Sequence, residues 1–510
     1  MTTLLTPQPT PARPTSMKRV AFASYVGSAI EYYDFYIYGT AAALVFPKVF
    51  FPHLSPALGA VASMATFAAA FVSRPAGAAF FGHFGDRLGR KATLTATLLI
   101  MGISTVAVGL VPGAVTIGLA APLILLVLRL AQGFAVGGEW AGAALLATEH
   151  APTESRGRYG MFTSLGAGSG LVVSSLVFLV VNSTIGEASS AFLDWAWRIP
   201  FLFSIVLVAV ALYVRLNVAE TPVFAGQQTH TAIPAVALFT EQRREVQLAA
   251  GSMVGFFGFG YMANAYLTSY AHTQVGFSPD VVLLVNVLGG IAALVSCALS
   301  ALACDRYGRR RVIMAAFAAG LPWAFVLIPL VDTRSVGWYA VAIVGTYAVA
   351  GSAYGPMGAF VPEIFATRYR YSGAGLALNL AGLVGGAVPP LIATPLMATW
   401  GPDAVGLMLA ILLLYPLVSA LPQEVIFRVL YFRRYGGLLP AGWSGLVAPA
   451  KTPDEIVNKV NADLVALMRD PAVLRQFESR PPDITAASQW TDVNQLIEQI
   501  VSEVGERTLQ

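Results

Sequence analysis

Twelve apolar stretches, each long enough to cross a lipid bilayer, constrain the fold of this chain more than any other feature. A transmembrane helix needs about 20 consecutive, mostly apolar residues. Of the 510 residues, 56% are hydrophobic and only 11% are charged, whereas a typical soluble domain is about 25% charged. The stretches form two groups of six, near residues 20–46, 57–81, 92–112, 119–147, 158–183 and 196–216, and then 246–272, 280–303, 312–331, 336–361, 371–397 and 403–427. The sequence therefore predicts an all-α membrane protein with twelve transmembrane helices.

The polar stretches between and around these groups divide the chain into five predicted regions. They are a disordered N-terminal segment (1–19), an N-terminal six-helix half (20–216), a cytoplasmic linker (217–245), a C-terminal six-helix half (246–427) and a short cytoplasmic helical tail (428–510).

The positions of lysine and arginine test the helix count independently. Positively charged residues concentrate in the short cytoplasmic loops of membrane proteins. With the N-terminus inside, most of the 31 Lys and Arg residues fall in inner segments, and the outer loops hold Lys48, Arg198 and Arg334. An odd number of helices in either half would break this alternation. We therefore expect a multi-pass protein of the cell inner membrane with both termini in the cytoplasm.

One charged loop motif occurs twice, each time after the second helix of a half. Residues 82–91 read GHFGDRLGRK and residues 301–310 read ALACDRYGRR. The repeat indicates two pseudo-symmetric halves. It also predicts a conformational gate on the cytoplasmic face, because its aspartates can bind arginines and free helix-end amides. The alternative is that these arginines serve only to orient the chain. The gate residues expected are Gly82, Asp86, Arg87, Gly89, Arg90, Asp305, Arg306, Gly308 and Arg309.

The repeated loop resembles the signature of the major facilitator superfamily. Four further stretches narrow the resemblance, namely GSAIEYYDFYIYG at 27–39, RLAQGFAVGGEW at 129–140, WAWRIPF at 195–201 and YRYSGAG at 369–375. Together they resemble the metabolite:proton symporter family, whose members carry 2-oxoglutarate, citrate, proline/betaine or shikimate, and the shikimate-type members are the most similar. The resemblance implies alternating-access symport of a small organic acid with a proton.

Charged residues inside the apolar stretches carry the predicted mechanism. A charge at mid-membrane costs about 2.5–3.5 kcal/mol on insertion scales, so such groups face one another or a water-filled cavity. Glu31 and Asp34 share one face of the first helix, and Arg129 and Gln132 share one face of the fourth. We expect Asp34 to face Arg129, so that protonation of the carboxylate frees the guanidinium for a substrate carboxylate. Glu31 and Glu139 are further candidates for the proton site, and a fixed ion pair that only orients the helices is the alternative.

Polar and aromatic side chains on other helices are expected to line the cavity around these charges. The substrate-binding residues predicted with Arg129 and Gln132 are Tyr32, Tyr36, Asn264 and Asn379. Interhelical hydrogen bonds that serve only packing are the alternative for each of them. Arg74 and Glu149 fall near predicted helix ends, so we expect them to be interfacial anchors.

The tail departs from the symporter pattern. Residues 452–467 and 491–504 have helix-start signals followed by apolar stripes. From residue 442 onward the chain resembles the C-terminal end of tripartite tricarboxylate-type binding proteins. The resemblance covers only the end of such a protein, and it implies a partial remnant rather than a working receptor.

The sequence therefore predicts a secondary active transporter that carries a small organic acid, shikimate-like or another carboxylate, together with a proton. It predicts no enzyme, cofactor, metal site or nucleic-acid partner, and it contains no Walker loop for ATP. The expected partners are the substrate, the proton and the lipid bilayer, and the protein is expected to be a monomer. Uptake of a zwitterionic osmolyte such as proline or betaine, and a non-transporting solute sensor or scaffold, remain as alternatives.

Overall fold

The computed structural model of the protein describes residues 17–88, 90–137, 139–149, 151–152, 155–186, 189–216, 238, 241–366 and 369–417. These residues form twelve long helical segments, α1 to α12 in chain order. Their bounds are α1 Met17–Leu44, α2 Pro56–Leu88, α3 Arg90–Leu110, α4 Ala120–Val136 with Glu139–Glu149, α5 Arg156–Ile185, α6 Ile199–Leu216, α7 Arg243–Val275, α8 Pro279–Tyr307, α9 Arg309–Asp332, α10 Val336–Tyr354 with Met357–Ile364, α11 Arg370–Trp400 and α12 Pro402–Leu417. Each overlaps one of the predicted stretches, and the prediction of twelve helices is confirmed.

Most of these segments are apolar enough to be membrane helices on their own. Among the described residues, nine are long and apolar enough to cross a bilayer by length and composition. The other three are α1, which carries Glu31 and Asp34, and the shorter apolar stretches Thr95–Leu110 and Pro402–Leu417. A helix satisfies its own backbone hydrogen bonds, which is what a chain in hydrocarbon requires.

The two halves meet through the second and fifth helix of each. Helix α5 packs along α8, and α2 packs against α11. Exchanging the halves turns the first contact into the second, so the interface follows the pseudo-symmetry that the repeated loop predicts. Helix α1 also reaches the second half, where it contacts α7.

Glycines bring α5 unusually close to its neighbours. A Cβ added at Gly166 would lie 2.6 Å from Ser28 Cβ, and one at Gly170 would lie 2.6 Å from the Tyr33 backbone nitrogen on α1. On another face, a Cβ at Gly168 would lie 3.1 Å from the Gly290 carbonyl oxygen of α8. Small residues of this kind let membrane helices approach to backbone contact. Helix α5 is therefore packed tightly against both halves.

Two helices of the second half contain π-helical turns. They occur at Met262–Leu267 and Ala271–Val275 in α7 and at Gly382–Ala387 in α11. Such turns are rare and occur frequently at functional sites. Both helices contact the first half, so the π turns lie on elements that help form the interface.

The tail and the linker lie largely outside this description. Residues 217–237 and 418–510 are not among the described residues. The predicted helices of the tail, and its resemblance to the end of a binding protein, therefore stay predictions.

The close contact of α5 with α1 predicts a cost for adding one methyl group. Gly170→Ala should lower the melting temperature of the purified protein, because the backbone of Tyr33 leaves no room for a Cβ. Overpacking of this kind costs about 1–3 kcal/mol. Gly260→Ala on α7 is the matched control, since no atom lies within 4 Å of its added Cβ. Thermal unfolding in detergent measures both, and equal melting temperatures would contradict the packing described.

Candidate functional site

Among the side chains that the structure describes, five charged ones are buried among the helices of the first half. Helix α1 contributes Glu31 and Asp34, α2 contributes Arg74, and α4 contributes Arg129 and Glu139; none exposes more than 4% of its surface. Charged side chains inside membrane helices are rare and costly, and they mark substrate or ion pathways. This buried charge cluster is therefore the candidate functional site.

Asp34 is held by two hydroxyl groups from neighbouring helices. Thr105 of α3 donates to Asp34 Oδ2 at 2.9 Å, and Ser204 of α6 donates to Asp34 Oδ1 at 2.8 Å. The carboxyl group is fully buried. Each oxygen thus has one neutral hydrogen-bond donor, and both donors can also accept a hydrogen bond.

Arg129 lies in a cage of aromatic rings. Its guanidinium carbon is 3.9 Å from the centre of the Tyr38 ring, 4.5 Å from that of Phe35 and 5.3 Å from that of Phe67. Its Nη1 donates to Gln132 Oε1. Its Nε and Nη2 are buried and have no hydrogen-bond partner. These two nitrogens form one edge of the guanidinium, the arrangement that binds a carboxylate through two parallel hydrogen bonds.

Arg129 and Asp34 are connected through two neutral side chains. Gln132 accepts from Arg129 and donates through Nε2 to Thr105 Oγ1 at 2.6 Å, and Thr105 in turn donates to Asp34. The described residues contain no direct ion pair between Asp34 and Arg129. The expectation that these two groups face each other directly is therefore corrected to a hydrogen-bonded chain, which we call the Asp34–Arg129 relay.

Arg74 lies in the protein interior, and the expectation that it is an interfacial anchor is wrong. Only 2% of its surface is exposed. Its guanidinium carbon lies 4.1 Å from the centre of the Phe35 ring and 4.5 Å from that of Phe71, and its Nε is buried without a hydrogen-bond partner. Phe35 therefore contacts both buried guanidinium groups. Glu149, the other expected anchor, has a side chain outside the described residues.

Aromatic residues form a wall between the two halves beside this cluster. The hydroxyls of Tyr32 and Tyr354 are hydrogen-bonded at 2.7 Å, which joins α1 to α10, and Tyr354 stacks on Phe256 with 3.7 Å between ring centres. Tyr36 packs against Tyr261 with 6.0 Å between ring centres. A cavity lined in part by Tyr36, Phe256 and Tyr354 lies at this wall, and its free space holds about one water molecule.

The two predicted asparagines join the halves instead of lining an open cavity. Asn264 of α7 donates to Thr40 of α1 at 3.3 Å, and Asn379 of α11 donates to the Gly137 carbonyl of α4 at 2.7 Å. The Oδ1 atoms of both residues are buried without a partner. These contacts fit the alternative that each residue makes an interhelical hydrogen bond.

The second copy of the repeated loop contacts the first half. We call the end of the bundle where α8 meets α9 the basic face. There the Asp305 carboxylate accepts from the backbone amides of Gly157 at 3.0 Å and Arg158 at 2.9 Å. These amides belong to the first turn of α5, where anions are favoured by unpaired N–H groups and the helix dipole. Asp305 thus caps a helix of the other half.

Neighbouring charges reinforce this contact. Glu363 at the end of α10 lies 3.8 Å from Arg156 of α5 and also pairs with Arg309. Gly308 has a φ of 90° in the turn before α9, and Arg306 lies over the Tyr307 ring. In the first copy, Gly89 and the side chains of Asp86, Arg87 and Arg90 lie outside the described residues, and Gly82 is known only as part of α2.

The opposite end of the bundle is bridged as well. Asn182 near the end of α5 donates to Asp280 in the first turn of α8 at 2.7 Å. The two halves are therefore in contact near both ends of α5 and α8.

The sequence analysis missed four side chains of the buried charge cluster and the basic face. Arg74 was assigned to a helix end, and Thr105, Ser204 and Glu363 were not singled out at all. For Arg74 a signal existed, because it lies within the apolar stretch 57–81 and not beyond its end. Nothing in the sequence distinguishes Thr105 or Ser204 from other hydroxyl residues on apolar helices.

Two pseudo-symmetric six-helix halves around a buried charge cluster define a membrane transport protein. The family model described as "Major Facilitator Superfamily" matches residues 25–390. The chain is 42% identical over 404 residues to the "Inner membrane metabolite transport protein YhjE" of Escherichia coli, covering 78% of this chain and 91% of that protein. It is 40% identical to the "Shikimate transporter" of the same organism, covering 74% and 88%. The protein belongs to the major facilitator superfamily, which consists of transporters and not of enzymes.

Other relatives and solved structures agree on the family and the fold. A "Proline/betaine transporter" of Escherichia coli is 34% identical, covering 74% of this chain and 77% of that protein. The xylose transporter XylE from E. coli, in a partially occluded inward-open conformation, superimposes with a TM-score of 0.61 at 18% identity, covering 84% of this chain and 99% of that one. A likeness at this identity shows the shared twelve-helix fold.

The corrected position of Arg74 predicts low chemical accessibility. Arg74→Cys, in a background where the buried Cys297 and Cys304 are replaced by Ser, should react far more slowly with a membrane-impermeant thiol reagent than Lys48→Cys does. Lys48 is exposed in the connection after α1, whereas Arg74 is enclosed by aromatic rings. Labelling rates in proteoliposomes measure the difference. Equal rates would place Arg74 at the membrane surface after all.

Proposed function

We propose that the protein is a secondary active transporter that carries a small organic acid across the membrane together with a proton. The observation that carries this proposal is the buried Arg129, whose Nε–Nη2 edge has no partner and which is linked by hydrogen bonds to the buried carboxyl group of Asp34.

Arg129 is the group that binds the substrate anion in this proposal. The aromatic rings cover the guanidinium plane, and Gln132 holds Nη1, so the Nε–Nη2 edge remains for a carboxylate. A hydrogen bond to a charged group contributes about 1.5–3 kcal/mol, and leaving a charged donor buried and unpaired is costly. Substrate binding satisfies both nitrogens and relieves that cost.

Asp34 is the proposed proton carrier. When it is ionised, it is the negative end of the relay and balances the charge of Arg129. When it is protonated, that balance is lost and a substrate carboxylate can take its place, so anion and proton enter together. Glu31 and Glu139 belong to the same buried cluster and are the next candidates for the proton site.

The contact between Asp305 and α5 is the proposed gate on one face. Transport requires the basic face to open, which separates Asp305 from Gly157 and Arg158 and separates Arg156 from Glu363. The first copy of the motif carries Asp86 at the position that corresponds to Asp305. Opening then replaces a few charge-assisted hydrogen bonds by bonds to water.

The distribution of arginines supports an orientation in the membrane, and a similar protein supports the cellular location. We place the basic face and both termini in the cytoplasm, because the arginines of the loops collect there. The relative named as an inner membrane protein supports the same membrane for this chain. The substrate and the proton are the partners proposed, with the lipid bilayer around a monomer.

Relatives support two substrate classes. The similarity to a shikimate transporter favours a hydroxylated carboxylic acid, whose ring could pack on the aromatic wall. The second candidate is a zwitterion such as proline or betaine, supported by the proline/betaine relative. Its carboxylate would bind Arg129 and its cationic nitrogen would face the rings of Tyr36 or Tyr261.

Uptake by purified protein in proteoliposomes tests the proposal. Labelled shikimate, a dicarboxylate and betaine are offered with and without an inward proton gradient. Accumulation that depends on the gradient supports symport, and the preferred compound decides between the two classes. Binding of any of them without uptake would favour a non-transporting sensor.

Substitutions at the two ends of the relay should fail in different ways. Asp34→Asn keeps the size of the side chain but removes its titratable group, so gradient-driven accumulation should stop while exchange of substrate across the membrane continues. Arg129→Ala removes the anion site, and substrate affinity should fall at least about 10-fold. Substrate-dependent alkalinisation of the medium and equilibrium exchange measure the two effects. Proton movement with substrate in Asp34→Asn would move the proton site to Glu31 or Glu139.

The gate predicts a slower cycle with unchanged binding. Asp305→Asn replaces a carboxylate that accepts two backbone amides by a neutral side chain. Turnover should fall several-fold. Substrate affinity should stay the same, because the charge cluster lies elsewhere. Asp403→Asn, at an exposed position in the first turn of α12, is the matched control. Transport rate and binding are measured for both, and a loss of affinity with normal turnover in Asp305→Asn would contradict the gate.

A further inference from the structure

The hydroxyl of Thr105 has one hydrogen atom and two acceptors at the same distance. Its Oγ1 lies 2.9 Å from Asp34 Oδ2 and 2.9 Å from the carbonyl oxygen of Met101, one turn earlier in α3. The same oxygen accepts from Gln132 Nε2 at 2.6 Å. A hydroxyl donates a single hydrogen bond and can accept two. Thr105 must therefore donate either to Asp34 or to Met101.

We infer that Thr105 is the positioning residue that reports the protonation state of Asp34 to Arg129, by turning its hydroxyl from the carboxylate to the Met101 carbonyl. The inference rests on the proposed function, because it takes Asp34 as the proton site and Arg129 as the anion site. It assigns the coupling between them to one neutral side chain on a third helix.

With Asp34 ionised, every hydrogen bond of the relay points the same way. Arg129 donates to Gln132, Gln132 donates to Thr105, and Thr105 donates to the carboxylate. Hydrogen bonds that run head to tail from a cation to an anion polarise one another and strengthen the chain. In this state Arg129 is held by a carboxylate that it does not touch.

With Asp34 protonated on Oδ2, the direction of the last bond reverses. The carboxylic acid now donates to Thr105 Oγ1, and the hydroxyl hydrogen of Thr105 turns to the Met101 carbonyl. Thr105 accepts from both Asp34 and Gln132, so no group loses a partner and no covalent bond changes. The chain, however, no longer ends on a negative charge. Arg129 keeps Gln132 and loses its electrostatic counterpart, which favours an incoming anion.

The second hydroxyl at Asp34 has less freedom. Ser204 donates to Asp34 Oδ1 at 2.8 Å, and within the described part of the chain it has no other recorded acceptor. The carbonyl one turn before it, that of Pro200, already accepts from the Tyr33 hydroxyl at 2.7 Å. Oδ2, and not Oδ1, is therefore the oxygen at which a proton is accommodated without loss of a hydrogen bond.

Charged and titratable groups around Asp34 set the background against which this switch acts. Arg129 and Glu139 of α4 are buried in the same charge cluster as this carboxyl group. The other buried charges and titratable side chains of the cluster and its surroundings are Glu31, Tyr33 and Tyr38 on α1, Arg74 on α2 and Tyr261 on α7. The groups that hydrogen-bond to Asp34 are neutral, namely the hydroxyls of Thr105 on α3 and Ser204 on α6. The relay is the hydrogen-bonded route from this carboxyl group to Arg129.

Infrared difference spectra of the wild-type protein in lipid, recorded between neutral and acidic pH with ¹⁵N-labelled arginine, test the inference without any substrate. Wild type should show a carboxylic-acid band that Asp34→Asn removes, together with an arginine band that Arg129→Lys removes. Thr105→Val, which keeps the shape but lacks the hydroxyl, should retain the carboxylic-acid band at a shifted frequency and lose the arginine band. Thr105→Ser should restore the arginine band, and Ser204→Ala should shift the carboxylic-acid band while retaining it.

The outcomes separate this inference from the proposed function. A Thr105→Val spectrum with an undiminished arginine band overturns the role of Thr105 while leaving Asp34 as the proton site. An Asp34→Asn spectrum identical to wild type shows that Asp34 does not titrate, which overturns the proton site and the switch together. Loss of the arginine band in both Thr105→Val and Thr105→Ser indicates a packing defect and rejects a role for the hydroxyl.

Discussion

The cost of placing charge inside a membrane is the constraint on which this structure depends. Each of the five buried charges would be unfavourable by a few kcal/mol alone. The protein offsets that cost in one way for the negative carboxyl group of Asp34 and in another way for the positive guanidinium groups. The carboxyl group of Asp34 is surrounded by hydroxyl donors, whereas the guanidinium groups of Arg74 and Arg129 are packed on aromatic rings. Ring faces stabilise a cation without using its hydrogen-bond donors. Nε and Nη2 of Arg129 are therefore left without a hydrogen-bond partner, whereas Nη1 donates to Gln132.

The contacts between the halves divide into two chemical kinds. In the interior, the halves meet through close helix crossings at glycines and through tyrosine and asparagine contacts, such as Tyr32 with Tyr354 and Asn379 with Gly137. At the faces they meet through charges, such as Asp305 with the start of α5. Charged contacts at an aqueous face can exchange with water at little net cost, whereas the interior contacts require a compensating ligand. The division therefore separates contacts that water can replace from contacts that it cannot reach.

Much of the fold could be predicted from the sequence, because the length of an apolar stretch and the placement of arginines act locally along the chain. Asp34 and Arg129 could be predicted as buried charges because both lie inside apolar stretches of the sequence. Their connection could not be predicted, since the rotation of α3 that brings Thr105 between them depends on packing among three helices. Arg74 was misassigned because it lies toward the end of the predicted stretch 57–81, and the sequence does not show that Phe35 and Phe71 enclose its guanidinium group. Asn264 and Asn379 are polar enough to bind a substrate, but in the structure they make interhelical hydrogen bonds. The sequence alone does not distinguish these two roles.

The capping of α5 by Asp305 has a consequence for the helix itself. Ser155, at the position before the helix, makes no side-chain hydrogen bond to the first turn, so the amides of Gly157 and Arg158 depend on a residue of the other half. Whenever the two halves separate at this face, these amides lose their acceptor and become exposed to solvent, and the first turn of α5 frays. In the proposed gate, backbone hydrogen exchange at Gly157 and Arg158 therefore increases with the fraction of time that this face is open.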